Sequence, residues 1–116
     1  MIRLVFIGND KKFFTILKMS IPNLRISITQ FDNKCIDFIE EERADIVLLD
    51  MDSKNEKWID LFKRIQNINK NLIILVTGSS DFSNSIVMAI KLGALDFIKK
   101  PFDPQFTVQI ENAVKI

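Results

Sequence analysis

Three residues with side chains suited to phosphoryl chemistry follow short apolar segments of this sequence. Asp50 comes directly after one apolar segment, Thr77 after a second, and Lys100 shortly after a third. A carboxylate can attack phosphorus and hold it as an acyl phosphate, while an ammonium group neutralises the charge that is transferred. A threonine hydroxyl can donate a charge-assisted hydrogen bond to a phosphoryl oxygen. If the fold brings the three side chains together, the chemistry that they permit is phosphoryl acceptance.

The composition excludes several other kinds of catalytic site. The 116 residues include no histidine and one cysteine, Cys35. Without histidine there is no Ser–His or Cys–His nucleophile pair and no histidine metal ligand. A single cysteine forms neither an internal disulfide nor a multi-cysteine zinc site. The 16 basic and 15 acidic residues leave a net charge of +1, so we expect no direct nucleic-acid partner and no binding to anionic membranes.

Short apolar segments predict the strands that position these residues. Segments 4–7, 46–49 and 72–76 are apolar at every position, as is typical of parallel strands that are buried on both faces. Segment 24–29 alternates apolar with polar residues and predicts an edge strand. Segment 95–98 is a weaker fifth candidate.

Amphipathic segments follow each predicted strand. Apolar residues recur at helical spacing near 13–17, 35–39, 58–68, 86–90 and 104–114. Strand and helix therefore alternate five times, which predicts a single α/β domain over residues 1–116 with an open parallel sheet and helices on both faces. In such a sheet the ligand site lies beyond the carboxyl ends of the strands.

No segment is long enough to cross a membrane. The longest apolar runs are five residues, whereas a membrane-spanning helix needs roughly 20. We expect a cytoplasmic protein.

Two stretches carry a resemblance to a known family. They are 44–50 (ADIVLLD) and the combination of 76–78 (VTG) with 89–103 (AIKLGALDFIKKPFD). In order and spacing they resemble the receiver domain of two-component response regulators, which is CheY-like, with a second half closest to NtrC-type receivers. The resemblance covers essentially the whole chain and implies a doubly wound, flavodoxin-like sheet of strand order 2-1-3-4-5 with five helices.

The resemblance also implies a role for individual residues. Asp50 corresponds to the phosphoacceptor aspartate and Lys100 to the lysine that contacts the phosphoryl group. Thr77 corresponds to the hydroxyl residue that moves toward the phosphate, and Phe97 to the aromatic switch residue. The main-chain carbonyl of Asp52 corresponds to a ligand of Mg²⁺.

The sequence departs from the family where Mg²⁺ is bound. The family places two acidic residues directly after the first strand, and this chain has Gly8 and Asn9 there. Asp10 follows one place later, where it precedes a helical period and is expected to cap the helix. Asp50 and the Asp52 carbonyl remain as metal ligands, with weaker contributions from Asn9 and Asp10, and we expect Mg²⁺ binding to be weak or absent. Aspartates at both positions 8 and 9 are expected to tighten it.

The favoured function is a receiver switch rather than an enzyme. A partner histidine kinase or phosphotransfer protein would phosphorylate Asp50, and the change would alter a protein-interaction surface. The resemblance implies that this surface comprises the fourth helix, the fifth strand and the fifth helix, which would contact a second copy or an effector. It also implies a cis peptide bond before Pro101.

Two other functions stay open. Gly8 and Asn9 favour a pseudo-receiver, which would have the same fold and act as an interaction module without phosphorylation. A more remote alternative is a phosphatase similar to the haloacid dehalogenases, whose motif resembles Asp50-x-Asp52. Against it, that motif normally opens the chain, and the sequence has no room for a substrate-capping insert.

Overall fold

Strands and helices alternate along the chain. The structure is a computed structural model that describes residues 1–79, 83–100 and 105–114. Within those residues the strands are β1 (Arg3–Ile7), β2 (Arg25–Thr29), β3 (Ile46–Asp50), β4 (Ile73–Gly78) and β5 (Asp96–Lys99). The helices are α1 (Lys11–Ser20), α2 (Cys35–Glu42), α3 (Trp58–Gln66), α4 (Ser83–Leu92) and α5 (Phe106–Val114), and a short 3₁₀ turn covers Met51–Ser53.

The five strands form one parallel sheet in the order β2-β1-β3-β4-β5. The predicted fold class and strand order are therefore confirmed. The register places Thr77 on β4 beside Asp50 on β3 and beside Ile98 on β5. The carboxyl ends of these neighbouring strands consequently lie at the same edge of the sheet.

Two hydrophobic clusters cover the two faces of the sheet. Along β1, Val5 and Ile7 belong to the cluster that includes α2, α3 and α4, whereas Leu4 and Phe6 belong to the cluster with α1 and α5. Side chains alternate between the two faces of a strand, so a strand covered by helices on both sides must be apolar throughout. All four residues are fully buried, which explains the uninterrupted apolar segment in the sequence.

Local signals in the sequence mark the ends of two helices. Asp10 caps α1, because its Oδ1 accepts a hydrogen bond from the Phe13 main-chain N–H at 2.9 Å. Gly93 follows α4 with a φ of +125°, a conformation that residues with a Cβ rarely adopt.

Pro101 and Pro104 lie outside the described residues, and so does the predicted cis bond before Pro101. No helix in the described parts of the chain is both long enough and apolar enough to span a bilayer.

Candidate functional site

The carboxyl ends of β1, β3, β4 and β5 surround a cluster of three carboxylates and one ammonium group. The carboxylates belong to Asp10, Asp50 and Asp52, and the ammonium group belongs to Lys100. Asp50 is the last residue of β3, and Lys100 directly follows β5. The parallel sheet therefore brings together residues that are 50 positions apart in the chain.

Asp50 lies at the bottom of this site. The residue is fully buried, and both oxygens of its carboxylate accept hydrogen bonds. Oδ1 accepts from the Asp52 main-chain N–H at 3.0 Å, while Oδ2 accepts from Lys100 Nζ at 2.9 Å and from the Ser53 hydroxyl at 3.2 Å. Burial raises the pKa of Asp50 above its ordinary value, and the hydrogen bonds from Lys100 and the Asp52 N–H only partly offset that effect. A raised pKa makes the carboxylate more basic once it is ionised.

Lys100 holds the three carboxylates together. Its Nζ lies 2.9 Å from Asp50 Oδ2, 3.0 Å from Asp10 Oδ2 and 3.4 Å from Asp52 Oδ2. Burial by itself lowers the pKa of Lys100, but the hydrogen bonds to Asp50 and Asp10 outweigh it and the net pKa is raised. The side chain therefore remains a cation within the site. The neighbouring Lys99 is exposed, so Lys100 is the lysine that reaches Asp50.

Asp10 contributes more than a helix cap. While its Oδ1 caps α1, its Oδ2 pairs with Lys100. Burial raises the pKa of Asp10, but the Phe13 N–H and the Lys100 ammonium together lower it below the ordinary value. The sequence predicts that Asp10 caps the helix rather than binding a metal; the structure confirms the cap and adds an ion pair with Lys100. The helix cap and the ion pair are compatible because the two carboxylate oxygens bond to different partners.

Gly8 allows β1 to approach Asp50 closely. A Cβ added at Gly8 would lie 2.6 Å from Asp50 Cβ and 3.0 Å from Asp50 Oδ2. A side chain at this position therefore requires Asp50 or the loop after β1 to shift. The expectation that aspartates at both positions 8 and 9 tighten Mg²⁺ binding stays a prediction. Asn9 is exposed, and a substitution there meets no such obstacle.

The arrangement of donors suits an ammonium group better than a metal ion. Mg²⁺ prefers several oxygen ligands with negative charge, but positions 8 and 9 supply no carboxylate. The three carboxylates of the site all lie within 3.4 Å of Lys100 Nζ. Among the described residues, no group of three or more acidic, histidine or cysteine side chains is arranged to hold a metal. The metal-binding roles predicted for Asp50, the Asp52 carbonyl, Asn9 and Asp10 stay predictions.

Thr77 is paired with Asp50 in the sheet, whereas Phe97 lies further back on β5, and the contacts of both residues are to other partners. Thr77 is fully buried, and its hydroxyl donates to the main-chain carbonyl of Ile98 on β5 at 2.6 Å. Phe97 is half-buried and packs against the cluster of α2, α3 and α4. Its main-chain carbonyl accepts a hydrogen bond from Gln109 Nε2 on α5 at 2.9 Å. The switch roles of both residues stay predictions.

Two serines belong to the site although the sequence analysis gave them no role. The Ser53 hydroxyl donates to Asp50 and also accepts the Asn9 main-chain N–H at 3.1 Å. Ser79 donates its main-chain N–H and its hydroxyl to Asp52 Oδ1, at 3.1 and 3.0 Å. A serine three residues after a carboxylate at a strand end is within reach of that carboxylate, and this spacing was the available signal for Ser53.

A cleft of about 390 Å³ leads from the surface to this cluster. Phe13 and Ile16 of α1 form its apolar side. Its charged lining is balanced, with two basic residues and two acidic residues: Lys12, Lys100, Asp10 and Asp52. Asp50 does not line the cleft itself, and Lys100 lies between them. The geometry therefore allows a small or protruding anionic group to reach Lys100 and, behind it, the Asp50 carboxylate.

Comparison with known proteins identifies similar chains. The sequence model described as "Response regulator receiver domain" matches residues 5–111. The chain is 35% identical to the chemotaxis protein CheY of Thermotoga maritima over 81 residues, which cover 70% of this chain and 68% of that protein. It is 33% identical to the sporulation initiation phosphotransferase F of Bacillus subtilis over 82 residues, covering 71% of this chain and 64% of the relative.

Longer regulators and solved structures are also similar. The chain is 24% identical to the transcriptional regulator NtrC of Azospirillum brasilense over 104 residues, and the match spans 22% of that regulator. The signal receiver domain of a DNA-binding response regulator from Colwellia psychrerythraea has a TM-score of 0.81 over the full length of both chains, at 21% identity. That structural similarity supports the fold.

Proposed function

Because this chain belongs to the response regulator receiver domain family of two-component systems, we propose that Asp50 accepts a phosphoryl group in the cytoplasm and thereby changes a protein-interaction surface. The observation that carries the proposal is the contact between the buried Asp50 carboxylate and Lys100 Nζ at 2.9 Å, at the end of an open cleft. Receiver domains interact with histidine kinases or phosphotransfer proteins and with effector domains. Such a phosphorylated partner is the proposed donor.

The chemical step transfers a phosphoryl group from the donor to Asp50. A carboxylate oxygen of Asp50 attacks the phosphorus atom, and the bond from phosphorus to the donor breaks. With a phosphohistidine donor the P–N bond breaks, and the departing imidazole nitrogen takes up a proton from water. With a small acyl phosphate the P–O bond breaks, and the leaving group is a carboxylate that needs no proton. Lys100 lies where negative charge accumulates, and a fixed cation at that position stabilises the transferring group.

The added charge supplies the driving force for a switch. A phosphoryl group contributes about −1.5 to −2 charges, in a site where one lysine already pairs with three carboxylates. Thr77 now donates to the Ile98 carbonyl, and a nearby phosphoryl oxygen would be the stronger, charge-assisted acceptor. Movement of that hydroxyl would remove a contact between β4 and β5. Phe97, the neighbour of Ile98 on β5, would then be free to repack.

Exposed apolar side chains indicate where a partner binds after phosphorylation of Asp50. Val87, Met88 and Ile90 on α4, Leu95 before β5 and Val108 on α5 are each about half exposed. They lie on α4 and α5, which both contact β5, and directly before β5, the strand that Thr77 contacts. We treat these five residues as one candidate surface. We propose that this surface binds a second copy of the chain or an effector when Asp50 is phosphorylated.

The pseudo-receiver remains the second candidate, and a specific observation favours it. Receiver domains generally bind Mg²⁺ in an acidic pocket, whereas this chain has the uncharged residues Gly8 and Asn9 directly after β1. Receiver domains are generally signalling modules rather than enzymes, so the haloacid dehalogenase-like phosphatase is not favoured.

A labelling experiment separates these candidates. The protein is incubated with acetyl phosphate, with and without Mg²⁺, and its intact mass is measured. We expect a gain of one phosphoryl group in the wild type and in Lys99→Met, and none in Asp50→Asn. Absence of any phosphorylated protein, with acetyl phosphate and with phosphorylated histidine kinases, would leave the pseudo-receiver as the function. Turnover of an aryl phosphate would instead revive the phosphatase.

A further inference from the structure

Ser53 connects the loop after β1 to the Asp50 carboxylate. Its hydroxyl donates to Asp50 Oδ2 at 3.2 Å and accepts the Asn9 main-chain N–H at 3.1 Å. Ser53 is the last residue of the 3₁₀ turn that begins directly after Asp50. The hydroxyl is therefore held on both sides, by the strand end that carries the carboxylate and by the loop opposite it.

The two donors on Asp50 Oδ2 differ in how firmly they are held. Lys100 reaches the site through a long, flexible side chain and also pairs with Asp10 and Asp52. Ser53 has a single rotatable bond before its hydroxyl and stands on the same short turn as Asp50. Ser53 therefore holds Oδ2 from a position fixed by the nearby main chain, while the Asp52 N–H holds Oδ1.

The close approach of Gly8 makes this connection possible. A Cβ at Gly8 would lie 2.6 Å from Asp50 Cβ, so the loop after β1 can pass this close only without a side chain there. The next residue, Asn9, then presents its main-chain N–H to Ser53. A chain of main-chain and hydroxyl hydrogen bonds thus links Asn9 to Asp50 where no acidic pair is present.

We propose that Ser53 is a positioning residue that holds the Asp50 carboxylate in the orientation from which it attacks phosphorus. The inference rests on the proposed function, because it assigns Ser53 a part in phosphoryl acceptance. The Ser53 hydroxyl is bonded to Asp50 Oδ2 and to the Asn9 main-chain N–H, so the role assigned to it acts through Asp50.

Labelling kinetics test this role. Ser53→Ala, Ser53→Thr and the wild type are labelled over a range of acetyl phosphate concentrations and followed by intact mass. Loss of one such hydrogen bond should lower the maximal rate about three- to tenfold, with an unchanged half-saturating concentration. Ser53→Thr, which keeps the hydroxyl, should recover most of the rate. Ser20→Ala, which removes an exposed hydroxyl at the end of α1 opposite the Asp10 cap, should match the wild type.

A second measurement does not depend on phosphorylation. Amide hydrogen exchange of Asn9 should be faster in Ser53→Ala than in the wild type, whereas exchange of Phe13, which bonds to Asp10, should be unchanged. The carboxyl-carbon NMR signal of Asp50 should shift in the alanine variant and return in the threonine variant.

The possible failures are distinguishable. If the wild type is not labelled by any donor, the proposed function fails. The Asn9 amide exchange and the Asp50 carboxyl-carbon signal then test only whether Ser53 forms its hydrogen bonds to these two residues. If Ser53→Ala is labelled at the wild-type maximal rate, or if its loss appears only in the half-saturating concentration, the positioning role is overturned. Wild-type exchange of Asn9 in Ser53→Ala would overturn the connection itself.

Discussion

Replacing Gly8 by alanine would place a methyl group against the side chain of Asp50. That methyl would lie 2.6 Å from Asp50 Cβ and 3.2 Å from Phe6 Cζ, whereas carbon atoms in contact prefer about 3.5–4.0 Å. The overlap with Asp50 is therefore about 1 Å. Asp50 and Phe6 are both fully buried, so neither side chain can move into solvent to relieve it.

The expected loss of stability follows from this overlap. Overpacking a buried site costs about 1–3 kcal/mol, and the reduced freedom of the unfolded alanine chain returns about 0.4–1 kcal/mol. We expect Gly8→Ala to lower the free energy of unfolding by about 1–2 kcal/mol. A shift of Asp50 would also lengthen its contact with Lys100, so labelling by acetyl phosphate should slow as well.

Gly78→Ala is the matched control at the neighbouring strand end. A Cβ at Gly78 would lie 3.4 Å from Met51 Cβ and 3.4 Å from Asp52 Oδ1, which is ordinary contact. Its free energy of unfolding should therefore equal or exceed that of the wild type by up to about 1 kcal/mol. Urea unfolding followed by the fluorescence of Trp58, the single tryptophan, measures both variants. Equal stability of Gly8→Ala and Gly78→Ala would refute the reasoning.

Three further predictions concern charge and backbone conformation. Lys100→Met leaves the Asp50 carboxylate buried without its cation and should lower the free energy of unfolding at pH 7 by about 3–5 kcal/mol. Its control is Lys99→Met, at the exposed neighbouring position, which should change the free energy of unfolding by less than about 0.5 kcal/mol. Equal losses in urea unfolding would contradict the ion pair. Burial raises the pKa of Asp10, but the Phe13 N–H in the first turn of α1 and the Lys100 ammonium lower it below the ordinary value of 3.8. The ionised Asp10 therefore stabilises the folded state fully above pH 3.8, and this stabilisation disappears as the pH falls through the lower pKa of Asp10 in the folded state. The stability difference between the wild type and Asp10→Asn should therefore shrink in acid unfolding, and a constant difference would contradict it. Gly93→Ala forces a Cβ into a φ of +125° and should cost about 1–3 kcal/mol, measured as a lower melting temperature; an unchanged temperature would contradict the strain.

The sequence predicted the strands best where burial was complete. Segments 4–7, 46–49 and 72–76 correspond to β1, β3 and β4, because strands in the middle of a sheet with helices on both faces must be apolar throughout. The alternating segment 24–29 contains the edge strand β2 (Arg25–Thr29). The fifth strand was displaced by one residue, to Asp96–Lys99, because a short edge strand carries too few apolar residues to mark its ends.

The order of the strands required more than local pattern. Alternation of strand and helix indicates a parallel sheet, but several strand orders satisfy it. The order 2-1-3-4-5 was predicted from the resemblance to receiver domains, and the sheet confirms it.

By itself the sequence determined the kinds of chemistry open to this protein. The absence of histidine excluded sites that depend on imidazole, and a carboxylate, a hydroxyl and a lysine after apolar segments led to the prediction of phosphoryl chemistry. The parallel topology predicted that Asp50 and Lys100 lie at the same edge of the sheet. These inferences depend on residue type and on the periodicity of burial, both of which are local properties of a chain.

Only the tertiary structure decided how the site is held together. The dual contacts of Asp10, the connection through Ser53 and the lack of room at Gly8 depend on loops whose paths are set by packing between distant segments. A difference of about 1 Å in such a path decides whether a hydrogen bond forms or a side chain collides. Sequence spacing carries no information at that scale, because the distance between two loops is fixed by the strands and helices that support them.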